Sequence, residues 1–236
     1  AASDVYKRQM EGCVRRQARE GRKKLDRRMG KNKRSLFKRR HGPAGRCRVT
    51  GIAGAGRGTG VTHLSVLMAN YLASSLQHRT AVLDWSGHGD LMSMACASGR
   101  KNEKNADAAV YGFRILGVTY YTQGSSDTLA RCMEGGFEDI IIDFGEMRPS
   151  IRNEWLRSTV KIMAASLSEW KLEAFMELLT GEEECGAGWI YTAAFGSEDT
   201  RREIERQFGI PLRRVPLSVD AFSVDYRTMK WFEGIL

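Results

Sequence analysis

The residues with the clearest chemical meaning lie in one run, VTGIAGAGRGTGVTHLSVLMANYL, over residues 49–72. Glycines stand at 51, 54, 56, 58 and 60, between a short apolar segment and a helical pattern. Glycine costs backbone entropy, so such a density is expected where φ is positive or where another group comes close to the backbone. A helix starting near Thr62 would present free N–H groups and the positive end of its dipole to the same place, which makes an anion site. Set against the phosphate-loop pattern GxxxxGK[ST], Thr62 takes the hydroxyl position that ligates Mg²⁺ and Gly60 the second glycine. Val61 stands where the lysine belongs, and Ala55 where the first glycine belongs. That lysine neutralises the β- and γ-phosphates, and charge stabilisation is most of what such sites contribute. Arg57 either turns to a phosphate in its place or faces solvent or a carboxylate; its planar fork does not replace a point charge. Read alone, the loop also fits a tight β–α turn without a ligand.

Two aspartates each end an apolar run: Asp84 after Thr80–Leu83, and Asp143 after Ile140–Ile142. A carboxylate buried without a metal or hydrogen bonds is expensive. Each is therefore read either as a catalytic or metal-holding group or as a structural acid capping the loop amides. His88, in a glycine-rich loop beside Asp90, is either a ligand contact or a solvated loop residue.

The elements that must position these groups alternate along the chain. Strands are expected over Arg46–Ala53, Thr80–Asp84, Phe113–Tyr121, Ile140–Phe144, Val160–Ala165, Gly188–Phe195 and Leu212–Leu217. Helices are expected over Thr62–Leu76, Ser125–Met133, Ser168–Leu179, Ser197–Phe208 and Tyr226–Leu236. In the first of these, Leu64, Leu67, Met68, Tyr71 and Leu72 share one face. Leu91–Cys96 is a short apolar stretch, and 99–109 a polar surface loop. Unbroken apolar runs suit strands buried on both faces. The alternation predicts an α/β fold, a three-layer, mostly parallel sheet flanked by helices, with ligands at the carboxyl ends of the strands.

Composition narrows the function classes. Of the formal charge of +9, residues 1–48 carry 18 Lys and Arg against 4 Asp and Glu, and the remainder 19 against 24. The body is mildly acidic, so nucleic-acid binding is expected only through the basic N-terminal segment. The domains are read as 1–45, a basic and disordered segment, and 46–236, the folded unit. Asp4–Gln9 resembles an in-frame translation of a sequencing adapter, which makes part of the segment non-native and Met29 the expected start. The five cysteines form no CxxC pair, which argues against zinc and fits a reducing cytoplasm. No apolar run approaches the ~20 residues that cross a bilayer. Tyr226, Met229, Trp231, Phe232, Ile235 and Leu236 make an apolar end with only Arg227 and Lys230 beside it, which suits packing on the sheet better than a membrane surface.

Three short motifs resemble the ParA/MinD group of P-loop ATPases, including the CpaE/TadZ-like proteins. Gly56-Arg57-Gly58-Thr59-Gly60-Val61-Thr62-His63 is similar to the family's KGGxGKT followed by Thr or Ser, with the signature lysine falling on Gly56 and the Walker lysine on Val61. Leu83-Asp84-Trp85-Ser86-Gly87-His88-Gly89-Asp90 is similar to LIDxDxQGN, and Phe137–Asp143 to FDxIIIDxP. The resemblance implies a P-loop NTPase fold in a bacterial, cytoplasmic protein, with ATP or ADP and Mg²⁺ held by residues 56–63. It implies that Thr62 and Asp143 hold the metal, with Asp143 acting through water. Asp84 would position the attacking water or a switch loop, and Ser168–Lys171 would lie near the base pocket. With both lysines absent, the expected function is a regulatory or localising protein with weak or no hydrolysis, acting through a protein partner or homodimer. The alternatives are a catalytically dead fold serving as an interaction module, and an active ATPase or small-molecule kinase using Arg57. Asp143-Phe144-Gly145 imitates a kinase motif, but no HRD or VAIK segment accompanies it. The glycine run with Asp84 some 20 residues on also imitates a dinucleotide fingerprint.

Overall fold

The computed structural model describes residues 47–99, 103–104, 111–181 and 188–236. The basic segment 1–45, the strand start at Arg46 and most of the polar loop 99–109 lie outside the described residues. The strands are β1 (Arg48–Gly54), β2 (Thr80–Asp84), β3 (Glu103–Lys104), β4 (Tyr111–Ile115), β5 (Val118–Tyr121), β6 (Asp139–Glu146), β7 (Val160–Leu167), β8 (Trp189–Gly196) and β9 (Leu212–Arg214). The helices are α1 (Val61–Ser74), α2 (Asp90–Ala97), α3 (Ser126–Glu134), α4 (Pro149–Leu156), α5 (Glu169–Gly181), α6 (Glu198–Phe208) and α7 (Tyr226–Glu233).

Among the described residues the strands form one sheet in the order β3-β4-β5-β2-β6-β1-β7-β8-β9. From β5 to β9 every pairing is parallel, and β3 and β4 add an antiparallel edge. The pleat sends alternate residues to opposite faces. Ile140, Ile142 and Phe144 of β6 join one apolar layer with Ile151, Trp155, Phe175 and Leu179 of α4 and α5. Ile141, between them, joins the other with Leu64, Leu67 and Met68 of α1 and Phe232 of α7. Each of the three isoleucines is no more than 2% exposed, and burial of such a side chain contributes about 1.5–3 kcal/mol. The expected three-layer fold is thus present.

Four local expectations are corrected. Phe113–Tyr121 is a hairpin rather than one strand: Leu116 (φ 48°) and Gly117 (φ 89°) make a two-residue turn between Ile115 and Val118. Positive φ at both central positions is the turn that matches strand twist. Leu91–Cys96 belongs to a helix, α2. α4, with Pro149 at its first turn, was not expected; proline there lacks only an N–H that the helix does not use. β9 ends at Arg214 instead of Leu217, ahead of Pro216, which cannot donate to a ladder.

The central helix α1 is buried nearly all round, from Leu64 through Leu72, instead of on a single face. α7 covers its second side: Phe232 stacks on Tyr71 with ring centroids 5.0 Å apart. The apolar C-terminal end therefore packs onto α1 and through it onto the sheet. No helix of the described residues is long and apolar enough to cross a membrane.

Candidate functional site

The glycine loop connects β1 to α1 at the carboxyl edge of the sheet. Ala55 N–H donates to the Ala164 carbonyl (2.9 Å), and Met147 N–H to the Gly54 carbonyl (2.8 Å), which ties the loop's root to β7 and to the end of β6. The loop then folds back over Gly54, where an added Cβ would lie 2.3 Å from Thr59 Oγ1 and 2.9 Å from Val61 Cγ2. Thr59 Oγ1 closes the turn by donating to the Gly56 carbonyl (3.0 Å). Gly60, the residue before α1, is left-handed (φ 90°). No side chain caps α1 and no acid stands in its first turn. The first N–H groups of a helix have no intrahelical partner, so this helix start offers donors and positive potential to an anion.

The expected residues 56–63 all line one polar cavity of about 320 Å³, together with His88, Asp90, Gly145 and Glu146. Val61 forms part of this wall but is 6% exposed and apolar, and brings no charge. Arg57 is exposed at the loop's tip. A second, apolar cavity of about 240 Å³ adjoins it, lined by Leu64, Ala164, Ala165, Thr192, Ala194, Phe195, Val215, Pro216, Leu217 and Ser218. Thr59, Gly60 and His63 line both cavities. His63 Nε2 is buried there without a hydrogen-bond partner. Sequence reasoning did not find the apolar cavity, because its walls come from the ends of β7 and β8 and the segment after β9. Ser168–Lys171, expected beside a base, does not line it: Trp170 is 79% exposed, and Lys171 Nζ donates to the Arg57 carbonyl at the loop.

Asp84 and Asp143 are Cα partners in the parallel β2–β6 ladder, which sends their carboxylates to the same face of the sheet; neither lines the polar cavity. They are 4% and 1% exposed. Asp84 Oδ1 accepts from the Ser86 amide (3.0 Å) and hydroxyl (2.7 Å), and Asp143 Oδ1 from the Gly145 amide (2.9 Å). The second oxygen of each has no partner. Neither accepts from an amide of the glycine loop; each instead caps an amide two residues further along its own segment. Burial pushes the Asp143 carboxyl up from its ordinary 3.8 to about 6; the Thr62 hydroxyl and Gly145 amide pull it down, and the Asp84 and Asp90 charges add to the rise. Thr62 Oγ1 donates to Asp90 Oδ2 (3.3 Å), a contact that sequence reasoning missed although Asp90 closes the second motif. His88 is exposed and lines the polar cavity.

These oxygens suit Mg²⁺. Two buried, half-satisfied carboxylates and a threonine hydroxyl flank an anion site, and Mg²⁺ is commonly held by one or two carboxylates, water and substrate phosphates. Among the described residues no three His, Cys, Asp or Glu side chains converge as an all-protein metal cage, so any Mg²⁺ here would need phosphate or water to complete its shell.

The strand order excludes the dinucleotide reading. In that fold the first and second strands are adjacent, whereas here β6 lies between β1 and β2. A glycine loop after β1, with one aspartate inside the neighbouring strand β6 and another at the end of β2 beyond it, defines an α/β fold of the P-loop type. Solved structures narrow it. The chain is similar to a ParA family ATPase from Chlorobium tepidum, at 19% identity over 75% of this chain and 86% of that one, TM-score 0.52. It is similar to the Aquifex aeolicus MinC:MinD cell division complex, at 10% identity over 73% and 83%, TM-score 0.53. It also matches cobyrinic acid a,c-diamide synthase from Mycobacterium smegmatis with bound ADP and magnesium, at 15% identity over 77% and 91%, TM-score 0.54. Neither a protein-family model nor a curated protein matches the chain. The fold is that of the ParA/MinD-type P-loop ATPases.

Proposed function

We propose that the chain is a nucleotide-binding regulatory or localising protein of ParA/MinD type, taking ATP or ADP with Mg²⁺ and acting through a protein partner or a second copy. One observation supports this reading: a polar cavity at an uncapped, glycine-led helix start borders an apolar cavity, the two sharing Thr59, Gly60 and His63 as wall. A nucleotide has the same two-part chemistry, a polyphosphate joined to a flat, largely apolar base. Asp143 and Thr62 are the residues that would hold Mg²⁺, which supplies charge neutralisation to the phosphates when bound. Asp84 would orient the neighbouring loop from Ser86 to Asp90.

Slow or absent hydrolysis follows from the loop's electrostatics. Val61 cannot offset charge that develops on the phosphates, and removal of one such group commonly costs 10²–10³-fold in rate. Binding without fast turnover suits a switch whose output is a surface rather than a product.

The test is thermal denaturation with and without millimolar Mg-ATP or Mg-ADP, beside Asp143→Ala. A ligand at ~100 times its dissociation constant adds about 2.7 kcal/mol, a rise of several degrees that should be lost in the variant. No rise with either nucleotide overturns the reading and leaves an interaction module with a P-loop fold.

A further inference from the structure

The loop lacks a lysine at both positions where its pattern calls for one, Gly56 and Val61. Among the residues that line the polar cavity Arg57 is the single Arg or Lys, against Asp90 and Glu146. A polyphosphate bound there needs a cation besides any metal. The structure brings one from a distant part of the chain. α5 lies against the outer edge of the loop through two residues one turn apart: Ala174 Cβ is 3.4 Å from where a Cβ on Gly56 would stand, and Lys171 Nζ 2.8 Å from where one on Gly58 would stand. Lys171 Nζ donates to the Arg57 carbonyl, and among the described residues it has no carboxylate partner. Its position opposes the helix dipole, since it stands in the first turn of α5, where a cation is disfavoured. A lysine kept there, half-buried and without an acid, is placed for the loop.

Resting on the nucleotide reading above, we propose that Lys171 is the substitute phosphate-binding lysine of this site, exchanging the Arg57 carbonyl for the terminal phosphate of a bound nucleoside triphosphate. The choice of the terminal phosphate follows from the cavities. Thr59 and Gly60 border the apolar cavity, and Gly56, Arg57 and Gly58 do not. A base in the apolar cavity therefore directs the phosphate chain towards Gly56–Gly58, the stretch of loop that Lys171 contacts from outside the cavity lining. The contact replaces a neutral carbonyl by a charged oxygen, which strengthens the hydrogen bond.

The experiment is isothermal titration of the full chain with Mg-ATP and with Mg-ADP, for the unaltered protein, Lys171→Met and Lys171→Arg, with melting temperatures measured without nucleotide. Lys171→Met is expected to weaken Mg-ATP binding at least about tenfold and Mg-ADP binding by clearly less, with the nucleotide-free melting temperature unchanged within a degree or two. Lys171→Arg, which keeps the charge but not its compact geometry, should recover only part of the ATP affinity. Equal affinities in the unaltered protein and Lys171→Met would overturn the assignment while leaving the nucleotide reading intact. An equal loss for ATP and ADP, accompanied by a drop of several degrees without nucleotide, would also overturn it, because Lys171 would then be a structural clamp on the loop. Failure of the unaltered protein to bind either nucleotide would overturn the nucleotide reading itself, and this proposal with it.

Discussion

Replacing Asp143 by asparagine keeps the side chain's shape and removes its charge, so it isolates what the charge costs. Burial raises the carboxyl from 3.8 to about 6, about two pH units, which corresponds to ~3 kcal/mol. The sign follows from linkage: the folded state holds this proton more tightly than the unfolded chain does. The penalty is therefore absent below about pH 4, grows between pH 4 and 6, and is complete above about pH 6. Asparagine can still accept the Gly145 N–H that Asp143 Oδ1 now takes. The Asp84 charge, which now opposes ionisation of Asp143, no longer meets a second charge, so most of the gain is expected to survive. Asp143→Asn should be stabilised by about 1–3 kcal/mol at pH 7 without Mg²⁺ or nucleotide, a melting rise of roughly 3–9 °C for a domain of this size. The rise should shrink to nothing by about pH 4. Melting curves of both proteins from pH 4 to 8 measure it. A variant that melts at or below the unaltered protein at pH 7, with a gap independent of pH, would show that the buried charge of Asp143 carries no such cost. A stability gain alongside loss of Mg-nucleotide binding is the pattern of a residue kept for function at a cost to the fold.

Other substitutions probe the surroundings. Gly51→Ala places a Cβ 2.4 Å from Ser158 Oγ and 2.9 Å from Trp155 Cδ1; overpacking of this kind costs about 1–3 kcal/mol, read as a lower denaturant midpoint. Asp139→Ala removes the partner of both Arg48 and His78, each 2.6 Å away, and should cost about 2 kcal/mol in the same assay. Ala194→Phe fills the apolar cavity from its rim. It should leave melting without nucleotide within a few degrees while abolishing the rise with Mg-ATP.

Much of the fold was legible because it rests on local signals. Apolar runs such as Ile140–Ile142 marked strands buried on both faces, and Ser125 and Ser197 cap α3 and α6 by accepting from Thr128 and Thr200. What failed locally had a physical reason: Leu116 at positive φ carries no turn signature, and α4 presents no apolar stripe because only Ile151 and Trp155 of its eight positions are buried. The single-face reading of α1 failed because α7 covers its other side, a contact between residues 71 and 232 that periodicity cannot register. In the site, glycine spacing and aspartates that close apolar runs gave Gly56–His63, Asp84 and Asp143, although β6 continues past Asp143 to Glu146. Lys171 was expected beside a base rather than at the glycine loop, and the apolar cavity was not legible, because both depend on chain crossings. The lysine lies 114 residues from the carbonyl it contacts, and no spacing rule links the two.

A crystal structure of the full chain grown with Mg²⁺ and a non-hydrolysable ATP analogue tests the central assignment most directly. The expected result is phosphate density against the amides of Gly58 to Thr62, a metal beside Thr62 and Asp143, and the base in the cavity between Ala164, Ala194 and Pro216. Crystals grown at saturating analogue with both cavities free of it, or with the analogue elsewhere, would contradict the assignment of this edge as a nucleotide site.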